Sequence, residues 1–238
     1  MCVTGRTHKT KHIWAYMLLG QVVAISVATN LFFYALATSA PPKPPTPGAT
    51  NMVSPVLWLS VGLSLATIAS SPYTTETTFL PNLLVMHVLL VVPLVLSPHP
   101  PGRWNMRLTT LYRTVAYFAL ALHLKATAMA FAALPPDSQT PSGVLRAITS
   151  TLNYHPAQSS IGWDVVWTSI SFIVWTIYTS GFSAVSPLNH PADSFTKYEP
   201  LRGSNVVEKI VKAVIAMTVG SVGFAAPWQW SSDRSGKS

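Results

Sequence analysis

The sequence predicts an all-α, polytopic transmembrane helix bundle of about six spans. Three observations carry that prediction. Six apolar stretches are separated by segments rich in proline, serine and threonine. Charged residues make up only 9% of the chain, against about 25% in an ordinary soluble domain. Apolar residues make up 49%, too many for the remaining polar surface to cover in water.

A bilayer core of roughly 30 Å needs about 20 apolar helical residues to cross it. On that measure the spans fall at about 13–37, 53–70, 80–96, 108–134, 161–182 and 206–226, in one integral membrane domain covering 1–238. The first follows the basic segment Arg6 to His12, as a signal peptide would, but its apolar run is too long for a signal's h-region and is read as an uncleaved helix. Pro41, Pro42, Pro44, Pro45 and Pro47 make a stiff turn after it. Pro98, Pro100 and Pro101 stop the third span, and Pro135 and Pro136 stop the fourth, because proline lacks an amide donor and biases its predecessor away from helix. Between spans four and five, Val144, Leu145, Ile148 and Leu152 space an amphipathic helix over Gly143 to Leu152 that suits the membrane surface.

With six crossings the two termini share a side. Arg6, Lys9 and Lys11 favour a cytoplasmic N-terminus, yet the loops split their basic residues almost evenly, six against five, so the rest of the chain adds no preference. The formal charge of +8 is scattered singly between apolar runs, which matches membrane lipid headgroups as partners and argues against nucleic acid. Cys2 is the sole cysteine and cannot pair within the chain.

Close packing of helices in lipid needs small residues in register. Gly20, Ala24 and Ala28, then Gly62, Ala66 and Ser70, then Ala216 and Gly220 make three such stripes. Asn30 and Asn82 read as interhelical hydrogen-bonding groups. Trp14, Tyr16, Trp58, Trp104, Tyr112, Trp163, Tyr178, Trp228 and Trp230 fall near span boundaries, as an interfacial belt should.

Ionisable groups within spans are few and so are the candidates for chemistry. They are His87, His123, Lys125 and Asp164. Asp164 admits two readings. It is either an acid in the first turn of its own helix, complementing the dipole, or a buried acid sharing a face with Thr168, Ser171 and Trp175, with Trp163 and Trp167 nearby. In the second reading Asp164 is a general acid, Trp163, Trp167 or Trp175 stabilises a developing cation, and His87 or His123 moves a proton. Lys125 either snorkels or pairs with Asp164 or Glu76. Glu76 itself reads as a solvated residue of the turn Thr74 to Thr78. No phosphate loop, HExxH helix, CxxC pair or Gly-x-Ser-x-Gly elbow is present, so no cofactor and no metal site is indicated.

Three stretches, Leu19 to Phe32, Phe79 to His87 and His155 to Asp164, together resemble polytopic membrane proteins of filamentous fungi that have no assigned activity. In size and sparse carboxylates the chain is also loosely similar to small integral-membrane terpene cyclases, which pair two membrane-embedded acids; here only Asp164 is clearly embedded. These readings favour a membrane protein, of the endoplasmic reticulum, that binds or shelters an apolar, lipid-like small molecule. A membrane enzyme initiated by Asp164 is the alternative, and a transporter the third.

Overall fold

The structure is a computed structural model that describes residues 5, 10–39, 52–96, 104–181 and 203–235. Almost all of it is helical: α1 (Ile13–Val22), α2 (Ile25–Thr38), α3 (Pro55–Ser70), α4 (Glu76–Val95), α5 (Leu108–Ala132), α6 (Pro141–Tyr154), α7 (Pro156–Gly181) and α8 (Gly203–Ser235). Two residues of strand before α3 pair antiparallel with two before α5, Met52 opposite Arg107 and Val53 opposite Met106. The proline-rich turns at 41–47 and 98–101 lie outside the described residues.

Among the described residues, five helices are long and apolar enough to cross a bilayer, over Pro55–Tyr73, Glu76–Val95, Leu108–Ala132, Pro156–Thr179 and Val207–Ser232, the last of them broken at Ser221. Their outward surfaces are apolar: Leu84, Val88, Val165, Val174 and Ile215 are each more than half exposed. In a soluble protein such surfaces would be buried, and here they face lipid.

The first expected span is corrected. It is two helices, not one. α1 ends at Val22, Ala24 is fully extended (φ −166°, ψ 141°), and α2 begins at Ile25. The halves fold back on each other. Tyr16 meets Phe32 edge to face at 5.8 Å, and a Cβ at Gly20 would lie 3.3 Å from the Ala28 Cβ. Gly20 and Ala28 of the expected stripe are therefore in contact, but across a hairpin with Ala24 at its turn and not along one helix. α1 and α2 measure roughly 15 and 21 Å at about 1.5 Å per residue, so neither crosses a bilayer alone.

Contacts along the remaining helices set their directions. α3 and α5 start together, with Val53, Leu108 and Leu111 forming a small core against Leu57 and Trp58. We call this end the base; the Trp58 indole donates to the Trp104 carbonyl there at 3.1 Å. α4 returns antiparallel to α3 through the tight Ser71–Tyr73 turn. Asn82 locks the pair at the top, donating to the Thr67 carbonyl (3.0 Å) and the Ser71 hydroxyl (3.1 Å) and accepting from Ser70. Its expected role as interhelical glue is met, whereas Asn30 is exposed and shows no such bond among the described residues.

Two further expectations are revised. A Cβ at Gly62 would meet nothing within 4 Å, so the Gly62, Ala66, Ser70 stripe is used only in part: Ser70 meets α4 through its bond to Asn82, while the buried small residues of α3 are Ser60 and Ser64. Glu76 is not in a turn. It is the first residue of α4, capped by the Thr75–Thr78 capping box, where an acid complements the helix dipole.

α8 carries a break at Ser221, whose φ of 64° and ψ of 174° fall in a region that side chains rarely adopt. Past it the helix runs antiparallel to α5: Gly220 lies against Leu120, Trp228 against Tyr117 (5.7 Å) and Trp230 against Tyr112 (5.8 Å). It runs parallel to α7, with the Thr176 hydroxyl donating to the Gln229 side-chain Oε1 at 3.3 Å and Phe172 buried against Ala225 and Ala226. The Ala216 and Gly220 stripe is thus used, Ala216 against the Phe172 cluster and Gly220 against α5. α6 forms as expected, slightly longer at both ends, with Thr140 as its cap and Leu145 and Ile148 exposed.

Candidate functional site

Polar positions within the apolar helices include one at the apex of the hairpin and one in a groove beside it. The apex is built by Asp164. The first amides of α2 have no partner within their own helix, as at any helix start. Ala24, at the cap position, offers no side-chain acceptor. Asp164 supplies it from α7: the Ser26 amide donates to Oδ1 at 2.8 Å and the Ile25 amide to Oδ2 at 3.0 Å. Both carboxylate oxygens are engaged, and their charge faces the positive end of the α2 dipole.

This corrects one reading of Asp164. α7 begins eight residues earlier, at Pro156, so Asp164 is not in the first turn of its own helix. It caps a different one. The shared face with Thr168, Ser171 and Trp175 is real, and α2 packs along it: Trp175 stacks on Phe33 at 4.6 Å, nearly coplanar. Trp175 also lies eleven residues, or roughly 16 Å, along the helix from Asp164, too far to act on the same reacting atom. Trp163 and Trp167 are about half exposed, directed outward as an interfacial or lipid-facing residue would be.

Lys125 has neither partner expected for it. Its Nζ donates to the Tyr73 hydroxyl at 2.6 Å and sits 4.8 Å from the centre of that ring. Tyr73 ends the turn at the top of α3, so the lysine stem carries its charge toward the membrane edge, the snorkelling alternative. His123 sits half-buried two residues earlier on α5, with no hydrogen bond among the described residues. No group of three metal-ligating side chains occurs among the described residues.

The groove lies between α1 and α4. It has a volume of about 630 Å³ and is lined by Leu18, Gln21 and Val22 on one side and by His87, Val88 and Val91 among others on the other. That size is within the range of small-molecule sites. All but two of its lining residues are aliphatic. The two are Gln21 and His87. The His87 Nδ1 lies 2.6 Å from the Leu83 carbonyl of its own helix, which holds the ring in place.

The structure therefore does not gather the sequence-derived candidates into one constellation. Asp164 belongs with α2, His87 with α1, and Lys125 with Tyr73. Gln21 escaped the sequence reading, although an amide deep in a long apolar run is itself a signal. The break at Val23–Ala24 carries no glycine or proline to announce it. Comparison with protein-family models, curated proteins and solved structures finds no match.

Proposed function

We propose that this is a multi-pass membrane protein that holds a lipid-like small molecule in the groove between α1 and α4. The carrying observation is the groove itself: about 630 Å³ of aliphatic lining that includes one fixed imidazole and one amide. Apolar lining with a few placed polar groups is the pattern of a small-molecule site. A chain of this composition sits in a membrane, and the endoplasmic reticulum is the membrane we assign. The enzymatic alternative, with Asp164 as acid, has less support, because two backbone amides already occupy its oxygens.

The N-terminus is assigned to the cytoplasm from its own flank, Arg6, Lys9 and Lys11, which the positive-inside rule favours.

The test is extraction in mild detergent followed by native mass spectrometry. Wild type should carry a copurifying amphiphile. Val91→Trp, which fills the groove, should lose it while remaining folded. An equal load on both proteins removes the groove as the binding site.

A further inference from the structure

We infer that the groove ligand carries a hydrogen-bond donor, specifically a hydroxyl head on a single long apolar chain. The inference rests on the groove reading above and goes further by assigning its chemistry. The Leu83 carbonyl can only accept, so the His87 Nδ1 that faces it at 2.6 Å is the protonated nitrogen. In the neutral ring Nε2 is then a bare acceptor. Among the described residues nothing donates to Nε2, and the Gln21 amide makes no hydrogen bond either. Both line the same groove, at its upper end, between helices that face lipid. In lipid an unpartnered polar group is costly.

A hydroxyl has the chemistry for both groups: it can donate to His87 Nε2 and accept from an amide such as that of Gln21. A carboxylate cannot donate, so an ionised fatty acid would set lone pair against lone pair at Nε2. A quaternary ammonium fails for the same reason, having no N–H. From His87 the groove continues along α4 past Val88, Val91 and Val95, all aliphatic, toward the base. That direction suits an acyl or isoprenoid tail, with the hydroxyl at one end.

The probes are hexadecan-1-ol and 1-methoxyhexadecane, measured by equilibrium binding to the full chain in mild-detergent micelles. The ether accepts hydrogen bonds but does not donate them. Wild type should bind the alcohol about 3–10-fold more tightly, the ratio for one net hydrogen bond. His87→Phe should lose that preference and bind the two equally, with its fold checked separately by far-UV circular dichroism. Val91→Trp should weaken both. Equal binding of alcohol and ether by wild type overturns the hydroxyl assignment and leaves the groove standing, provided Val91→Trp still weakens both. Unchanged binding by Val91→Trp overturns the groove reading and the assignment with it.

Discussion

At Asp164 one side chain does the work of a helix cap from another helix. A residue at α2's own cap position would have satisfied the same amides locally, but Ala24 stands there. Replacing Asp164 with alanine leaves two amides without partners in an apolar setting, where each such loss costs about 1–3 kcal/mol. We expect Asp164→Ala to lose about 2–4 kcal/mol and Asp164→Asn, which keeps one acceptor oxygen, roughly half as much. Unfolding in mixed detergent reads both. An alanine variant as stable as wild type removes the cap. Lys125 gives the opposite expectation. A buried ion pair broken at one partner loses about 3–5 kcal/mol, but a snorkelling lysine bonded to a 70% exposed tyrosine has no buried charge to strand. Lys125→Met should therefore change stability by less than about 1 kcal/mol. The candidates themselves were visible in the sequence because charge is rare within apolar runs. Their partners were not, since Asp164 and the Ile25 amide are 139 residues apart.

Helix positions were legible where apolar length decides them. α5 begins at Leu108 as expected, and the spacing of Val144, Leu145, Ile148 and Leu152 did mark a helix. Packing faces were less so. Small residues four apart occur in all three stripes, yet Gly62 in the second meets no neighbour, because which face meets a neighbour depends on where that neighbour stands. A paired substitution tests this. Gly20→Leu forces a branched side chain onto Ala28, and overpacking of that kind costs about 1–3 kcal/mol. Gly62→Leu extends into open space and should be close to neutral, within about 0.5 kcal/mol. Thermal denaturation of the two variants in the same detergent compares them directly; equal losses would mean that Gly62 also packs against a helix.

For the whole molecule, the hairpin changes how the chain is threaded. A continuous first span would place the segment between α2 and α3 on the opposite side from the N-terminus. A hairpin returns it to the same side. The direction of α8 past Ser221, antiparallel to α5, brings the C-terminal end to the base as well. Glycosylation acceptors at the N-terminus, between Ser39 and Met52, and at the C-terminus should therefore give one common result. An acceptor in the segment 133–140, after α5, should give the other. A split between the first two acceptors would restore the continuous span.

The sequence by itself determined that the chain is an all-α membrane protein, because composition and the length of apolar runs depend on no long-range contact. It also singled out the handful of ionisable groups inside the membrane, since these stand out against aliphatic neighbours. Tertiary structure alone decided that the first apolar run folds back at Val23–Ala24. That break becomes stable when a carboxylate from α7 accepts the amides it exposes. Tertiary structure alone also placed α1 against α4, and so made a groove of Gln21 and His87, 66 positions apart in the chain. Both outcomes depend on which helices become neighbours, and in lipid that choice rests on close packing and a few hydrogen bonds.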